Sequence, residues 1–186
     1  MVTDDPLESL VRTLLERDGF WVRSGFEVRL TPEDKAAVGG AWPPRKINFI
    51  GYKAATNELR FVGCGPYLDS HGVRFSSFAN ANGPDEYRLF TDANVRAVVT
   101  NRVITQLTEA GGCLPSPSVA FYFVASKIRD ASDRQSLRLH FEQNGWVLWD
   151  DEWINNVLSD MSKGGRENDV SSAVAKLLLD FFGFKK

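Results

Sequence analysis

The sequence lacks most of the features that identify a function directly. Its two cysteines, Cys64 and Cys113, have no metal-ligand spacing and supply no disulfide framework. Neither His71 nor His140 has a Ser, Cys or Asp partner at a spacing typical of catalytic dyads. There is no glycine-rich nucleotide-binding motif, no signal-peptide pattern and no apolar run of about 20 residues. We therefore expect a soluble cytoplasmic protein that does not use a membrane.

An excess of charge of one sign is also missing. The net charge is -2, so there is no global excess of basic residues to attract nucleic acid. This value still allows a local basic groove. The 186 residues are 43% apolar and 25% charged, values ordinary for a globular protein. We expect one domain over residues 1–186, with its core at 5–149 and a helical extension at 150–186.

Helices and strands alternate along the chain. Apolar periodicity and capping residues predict helices at 6–18, 31–38, 92–110, 130–144, from 150 onward and at 169–182. Alternating or short apolar runs predict strands at 20–30, 46–52, 58–65, 118–126 and 146–149, and 66–87 is predicted as a loop. Ser24-Gly25 interrupts the first strand and indicates a bulge or turn. A helix between a hairpin and a later strand predicts a mixed sheet covered on both faces, an α/β fold.

The segment 45–73 has the outline of an active-site hairpin. Alternation of side chains predicts that Ile47 and Phe49 lie on one face of the first strand. The opposite face is then expected to carry Lys46, Asn48, Ile50 and Tyr52. On the second strand, Gly63 and Gly65 share a face and leave bare backbone, which lets another group approach closely.

This hairpin, followed by Tyr-Leu-Asp-Ser at 67–70 and then Gly-Val, resembles the PD-(D/E)xK, or restriction-endonuclease-like, nucleases. It is most similar to bacterial members whose hairpin reads approximately Glu-Ile-Asp, an apolar strand, then Glu-Cys-Lys-Ser-Tyr-Leu-Asp-Ser. The resemblance covers roughly residues 5–149 and implies an α-β-β-β-α-β core. In that family an Asp and a Glu on the two strands hold a divalent metal against the scissile phosphate. A Lys two residues after the Glu orients or deprotonates the attacking water.

The chain departs from the family at each of these positions. Asn48 stands at the Asp position, Gly63 at the Glu position and Gly65 at the Lys position. The resemblance matches Glu8 to an assisting acid on the first helix, and Asp69 is the nearest acid that could rescue the site. Asparagine offers one neutral oxygen and glycine offers no ligand. We therefore expect no catalytic residue beyond the remnants Glu8 and Asp69, no metal site and no cofactor, with Mg²⁺ relevant only to a residual activity.

These substitutions predict a catalytically inactive nuclease-like protein, a pseudonuclease, that binds nucleic acid or a partner protein through the former active-site groove. In the nucleic-acid interpretation, the Lys46 ammonium replaces part of the lost metal charge and holds a DNA or RNA phosphate. The other contacts expected there are Arg45, Asn48, Tyr67, Ser70, Arg102 and Gln106, with Lys53 and Arg60 broadening the basic patch. The alternative is that Lys46 is a solvated strand-end lysine and that Arg102 and Gln106 form a solvated helix edge.

Two further functions stay open at this stage. One is an interaction scaffold that contacts another protein, such as an active nuclease in a bacterial defence or DNA-processing complex. Exposure of Trp42, Trp149 and Trp153 would support it. The other is a metal-dependent DNA endonuclease with a site remodelled around Glu8 and Asp69.

Overall fold

A computed structural model describes residues 6–39, 46–65, 71–79 and 83–163. These residues form one mixed sheet of five strands with helices packed on both faces, which confirms the α/β prediction. The strand order in the sheet follows the sequence: β1 (Trp21–Glu27), β2 (Lys46–Lys53), β3 (Glu58–Cys64), β4 (Ser118–Val124) and β5 (Val147–Trp149). β1, β2 and β3 pair antiparallel, whereas β3, β4 and β5 pair parallel.

Three of the helices begin where local capping chemistry predicts them. Thr31 forms a capping box with Asp34, and Asp92 and Asp130 each accept hydrogen bonds from backbone N–H groups of the helix that follows. The α-helices are α1 (Pro6–Arg17), α2 (Pro32–Ala37), α3 (Ser76–Ala79), α4 (Arg88–Thr91), α5 (Ala93–Glu109), α6 (Ala131–Gln143) and α7 (Asp151–Lys163).

Two segments differ from the helices and loops predicted for them or lie outside the described residues. The segment predicted as a loop at 66–87 contains α3 and a 3-10 turn at Asp85–Tyr87, because Phe78 and Tyr87 stack 4.7 Å apart in the core and order the chain there. The helix predicted at 169–182 lies outside the described residues.

Among the helices that are described, none has both the length and the apolar character to cross a membrane.

Each face of the sheet has its own apolar layer. On one face, α5 and α6 pack on the sheet through Val95, Val99, Val103, Leu137 and Phe141. On the other face, α1 and α7 pack through Leu7, Leu10, Val11, Leu15, Ile154 and Met161. The β2–β3 hairpin lies between these layers, and the exposed Lys46 side chain stands at the first residue of β2.

The alternation of side chains shifts by one residue in the middle of β1 and β2. Ile47 packs in the α5–α6 layer together with Ile50, whereas Phe49 packs in the α1–α7 layer. The prediction that Ile47 and Phe49 share a face is therefore wrong. Ser24 pairs with Phe49 and Phe26 with Ile47, and Gly25 between them has a φ of +58°. The left-handed glycine accompanies the change of phase in β1. Trp21–Tyr52 and Glu27–Lys46 belong to one register, so β1 has no inserted residue here and the predicted bulge is not found.

Candidate functional site

The centre of the hairpin site is a hydrogen-bonded bridge made by Asn48. Its side-chain Nδ2 donates to Glu8 Oε1 of α1 at 2.9 Å. Its Oδ1 accepts from the backbone N–H of Cys64 on β3 at 3.1 Å. Both ends of the partly buried amide are thus engaged, and the three elements α1, β2 and β3 are joined by a neutral group. We call these contacts the Asn48 bridge.

The two glycines of β3 do not leave open space. A Cβ at Gly63 would lie 3.1 Å from Phe90 Cε2 and 3.4 Å from Phe123 Cδ2. A Cβ at Gly65 would lie 3.0 Å from Val73 Cγ2 and 3.3 Å from Phe123 Cζ. The groups that approach the bare backbone are therefore the protein's own apolar side chains. The close approach predicted at these glycines is thus made from within the protein.

A small cleft is lined by Lys46 and Asn48 on β2, by Gly63 on β3 and by Asp85 and Glu86 of the 3-10 turn. Its volume is about 20 Å³, which holds roughly one water molecule. The Lys46 side chain is exposed at its edge, as are both acids. One ammonium beside two carboxylates gives this cleft no basic character, and it is too small for a nucleotide.

The residues of this site do not fit a magnesium ion. Magnesium binds through carboxylate oxygens together with waters and substrate phosphates. Here the one carbonyl oxygen of Asn48 already accepts the Cys64 N–H, and its NH₂ group points at Glu8. Within residues 6–39, 46–65, 71–79 and 83–163, no group of three or more His, Cys, Asp or Glu could hold a metal.

Arg102 and Gln106 of α5 hold the fold together and do not border this cleft. Arg102 binds Asp34 of α2, with a shortest N–O distance of 2.6 Å. Gln106 accepts from the backbone N–H of Arg29 at 2.9 Å and donates to the carbonyl of Glu27 at 3.3 Å. Their partners lie on α2 and at the end of β1, away from the residues that line the cleft, and their contact with nucleic acid stays a prediction.

Lys53 and Arg60 are likewise distant from Lys46. Seven residue steps along β2 separate Lys46 from Lys53, which corresponds to about 23 Å. Arg60 binds Asp18 at 2.8 Å, and its guanidinium carbon lies 3.8 Å from the centre of the Phe20 ring. The Lys53 ammonium donates to the Asp18 carbonyl at 2.7 Å. These cations do not broaden a basic patch around Lys46.

The exposed tryptophan of the described chain is one that the sequence analysis did not single out. Trp149 is buried, and its ring centroid lies 4.4 Å from that of Trp153, which is half-buried. Trp21 at the start of β1 is 73% exposed. Its neighbours Phe20 and Val22 both pack on the α1–α7 layer. The alternation of apolar residues at positions 20 and 22 was the sequence signal that could have predicted that Trp21 faces away from that layer.

Several expected contacts lie outside the described residues. These are Arg45, Tyr67, Asp69 and Ser70 at the hairpin and Trp42 in the preceding segment. Of the residues expected to bind nucleic acid, Lys46 and Asn48 are therefore the ones that the structure places at the hairpin site. Asn48 is engaged in its bridge, which leaves Lys46 as the exposed cation there.

The fold and the site together define an α/β protein whose central hairpin carries a hydrogen-bonded asparagine and two glycines covered by apolar side chains. No family model, no curated protein and no solved structure matches the chain.

Proposed function

We propose that this chain is a catalytically inactive member of the PD-(D/E)xK class that works by binding a partner protein. The order α1, β1, β2, β3, α5, β4 agrees with the α-β-β-β-α-β core expected of that class, with α2 and the short helices as additions. The mixed sheet, with its antiparallel hairpin and parallel β4, supports the same assignment.

The Asn48 bridge carries the proposal of inactivity. A carboxylate at this position beside Glu8 would need a cation between the two negative groups. The Asn48 amide instead donates a hydrogen bond directly to Glu8, so the helix and the strand are joined without metal. The apolar cover on Gly63 and Gly65 occupies the space in which a metal-binding Glu and a catalytic Lys would project.

The distribution of charge and apolar surface favours a protein as the partner. At the hairpin, the Lys46 ammonium is accompanied by Asp85 and Glu86, which repel phosphates. Trp21 is 73% exposed and Leu114 is 57% exposed. Large aromatic side chains of this kind dominate the energetics of protein interfaces.

Nucleic-acid binding is the second candidate function, and the exposed Lys46 side chain is the observation that favours it. Fluorescence anisotropy of labelled duplex DNA, single-stranded DNA and RNA at about 50 and 200 mM salt tests it, because phosphate contacts weaken steeply over this range. We expect no salt-dependent binding. Binding that falls with salt and is lost in Lys46→Glu would replace the protein-partner proposal.

Cleavage assays test the proposed inactivity. The natural chain is incubated with supercoiled DNA, linear DNA and RNA in the presence of Mg²⁺ or Mn²⁺, and Glu8→Ala serves as the matched variant. We expect no cleavage by either protein. Cleavage by the natural chain that chelation and Glu8→Ala both abolish would establish the remodelled endonuclease instead, and would overturn the proposal.

A further inference from the structure

The first strand of the sheet has one side open to another chain. β1 is an outer strand of the described sheet, with β2 as its neighbour on the inner side. It is seven residues long, whereas β5 at the other side of the sheet has three. An outer strand directs alternate N–H and C=O groups away from its neighbour. Among the described residues, no backbone group of residues 21–26 bonds to a backbone group beyond β2. We call this open side the β1 edge.

Two arginines flank the β1 edge, one on each face of the sheet. Arg12 of α1 donates to Ser24 Oγ at 2.5 Å, so its guanidinium lies beside the strand on the α1–α7 face. Arg23 lies on the opposite face, where its guanidinium carbon is 5.3 Å from the centre of the Phe26 ring in the α5–α6 layer. Both arginines are exposed. Within the described part of the chain, no carboxylate forms an ion pair with either guanidinium.

The charge around the β1 edge is positive, although the net charge of the chain is -2. Glu27 at the end of β1 lies directly across from Lys46 of β2, and these charges offset each other. Asp18 is held in ion pairs with cations of β2 and β3. The remaining charges of α1, β1 and the residues just after them are four arginines and two acids, which are Arg12, Arg17, Arg23, Arg29, Glu8 and Glu16. The surface beside β1 therefore favours an anionic partner.

An apolar group stands on the same face as Arg23. Residues two apart on a strand share a face, and the packing of Phe20 and Val22 in the α1–α7 layer leaves Trp21 on the other side with Arg23. Trp21 is 73% exposed. An added antiparallel strand would then place an acid opposite Arg23 and an apolar residue, two positions later, opposite Trp21. The residue just before that acid would face Arg12, so a second acid fits there.

We propose that the β1 edge docks a partner protein by taking up an extended acidic segment as a further strand of the sheet. The segment carries two adjacent acids, any residue and then an apolar residue. Main-chain hydrogen bonds to β1 hold it, and Arg12, Arg23 and Trp21 select its side chains. A nucleic acid shares the negative charge but has no row of amides to pair with the strand. The inference rests on the proposed function, because it names the surface by which the inactive chain binds a protein.

The test titrates the full ¹⁵N-labelled chain with three octapeptides. The first, Ser-Thr-Glu-Glu-Val-Ile-Thr-Ser, carries the acidic pattern, and the second has lysines in place of both glutamates. The third keeps the glutamates but has prolines in place of the threonine and valine that flank them, so it lacks a ladder N–H in either register. We expect the first peptide alone, at millimolar concentration, to shift the amide signals of residues 21–26 and the Trp21 indole signal.

Matched variants identify the side chains that select the peptide. Arg12→Gln and Arg23→Gln should each weaken binding of the glutamate peptide about threefold, as expected for exposed charge pairs. The double variant Arg12→Glu/Arg23→Glu should exchange the preference, so that the lysine peptide binds in place of the glutamate peptide. Arg74→Gln removes an exposed arginine beside the Val73–Ile128 bridge and should change nothing. Spectra unchanged away from β1 show that each variant is folded.

Three results would overturn the docking proposal. They are the absence of shifts at β1 with the glutamate peptide, equal shifts with the lysine or proline peptide, and binding that both arginine variants leave unaltered. Duplex DNA or RNA that shifts the same amides, and loses this effect in Arg23→Gln, would assign the edge to nucleic acid instead.

The proposed function is tested separately. The cleavage assays and the Lys46→Glu variant probe the hairpin, so a failure of peptide binding at β1 leaves their outcome unchanged. Conversely, metal-dependent cleavage by the natural chain would overturn the proposed inactivity even if the β1 edge bound the acidic peptide.

Discussion

The side-chain amide of Asn48 donates a 2.9 Å hydrogen bond to the carboxylate of Glu8, and these two residues are separated by 40 positions in the chain. The contact ties β2 to α1 through an uncharged side chain on the strand. A neutral donor and an ionised acceptor form a charge-assisted bond, which is stronger than a bond between two neutral groups. Both ends of the Asn48 amide therefore have their hydrogen-bond partners within the protein.

Asn48→Asp should destabilise the protein by about 1–3 kcal/mol at pH 7. The variant loses the hydrogen bond to Glu8 and places a second carboxylate beside that of Glu8. Urea unfolding at pH 7 measures the loss, which should shrink as the pH falls and one carboxyl becomes protonated. Millimolar Ca²⁺ or Mg²⁺ should also restore part of it. Asn101→Asp, at an exposed site on α5, adds the same charge as a control. Equal losses in both variants, with no effect of divalent cations, would contradict the role of the Asn48 bridge.

Gly63→Ala should destabilise the protein by about 1–2 kcal/mol, because the new methyl group would meet the Phe90 ring at 3.1 Å and overpack that site. The double variant Gly63→Ala/Phe90→Leu tests this cause. Removing the ring destabilises the core by itself, but the alanine should add little further loss when the leucine is present. Thermal unfolding of the four proteins gives the coupling energy. Strictly additive losses would show that Phe90 is not what restricts position 63.

Asp34 should contribute to the acid sensitivity of the protein. Burial acts to raise the pKa of this carboxyl, but the hydrogen bond from the Thr31 N–H and the Arg102 guanidinium outweigh it and hold the pKa below its ordinary value of 3.8. The stability that this lowered pKa provides is present above the unfolded value and is lost as the pH falls through the folded value.

Asp34→Asn should therefore flatten the stability profile below about pH 4. At pH 7 the variant should lose no more than about 1 kcal/mol, as is typical of partly exposed pairs. Urea midpoints between pH 7 and pH 2.5 measure both effects, and Asp85→Asn removes an exposed acid as a control. A profile for Asp34→Asn that is as steep as that of the natural chain would refute this assignment.

His140 should make the protein less stable at mildly acidic pH. Its Nε2 is buried without a hydrogen-bond partner among the described residues, and its ring meets Phe75 and Trp146 edge-on, each at 5.8 Å between centroids. Burial lowers the pKa of the imidazole below its ordinary value of 6.5. As the pH falls, the imidazole of the unfolded chain is protonated before that of the folded chain. The free energy of unfolding is therefore highest above pH 6.5 and falls as the pH decreases towards the lowered pKa.

His140→Phe and His140→Gln should both remove this dependence between about pH 7 and pH 5. Phenylalanine should also raise the unfolding midpoint at every pH, because it buries no unpaired nitrogen. Glutamine does not titrate and stays polar, so it shows the effect of losing the titrating group without added apolar packing. Thermal unfolding at pH 5, 6, 7 and 8 measures the profiles. An unchanged slope in both variants would assign the pH dependence of the natural chain to other groups.

The beginnings of the helices were predictable because capping is local. The hydroxyl of Thr31 accepts a hydrogen bond from a backbone N–H three residues later in the chain, and Asp92 and Asp130 act over the same short range. Apolar periodicity likewise predicted which faces of α1 and α5 are buried. The faces of β2 were not predictable by alternation, because the phase changes opposite Gly25 of a different strand.

The partners of individual side chains depended on segments that are distant in sequence. Arg102 was assigned to a nucleic-acid groove, yet it binds Asp34, 68 positions away. Gly63 was predicted to let another group approach its bare backbone, and only the structure shows that this group is the pair of rings of Phe90 and Phe123. A sequence records which chemical groups are available, and no short-range pattern states which of them will meet.

The sequence by itself determined the alternation of helices and strands, the α/β class, and the absence of carboxylates at positions 48 and 63, since periodicity, capping and residue identity are local properties. The tertiary structure alone decided that the Asn48 amide is satisfied by Glu8 and Cys64, and that Trp21 stands exposed beside two helix ends. These relationships arise when elements far apart in the chain pack together, because packing sets both the hydrogen-bond partners and the exposure of each side chain.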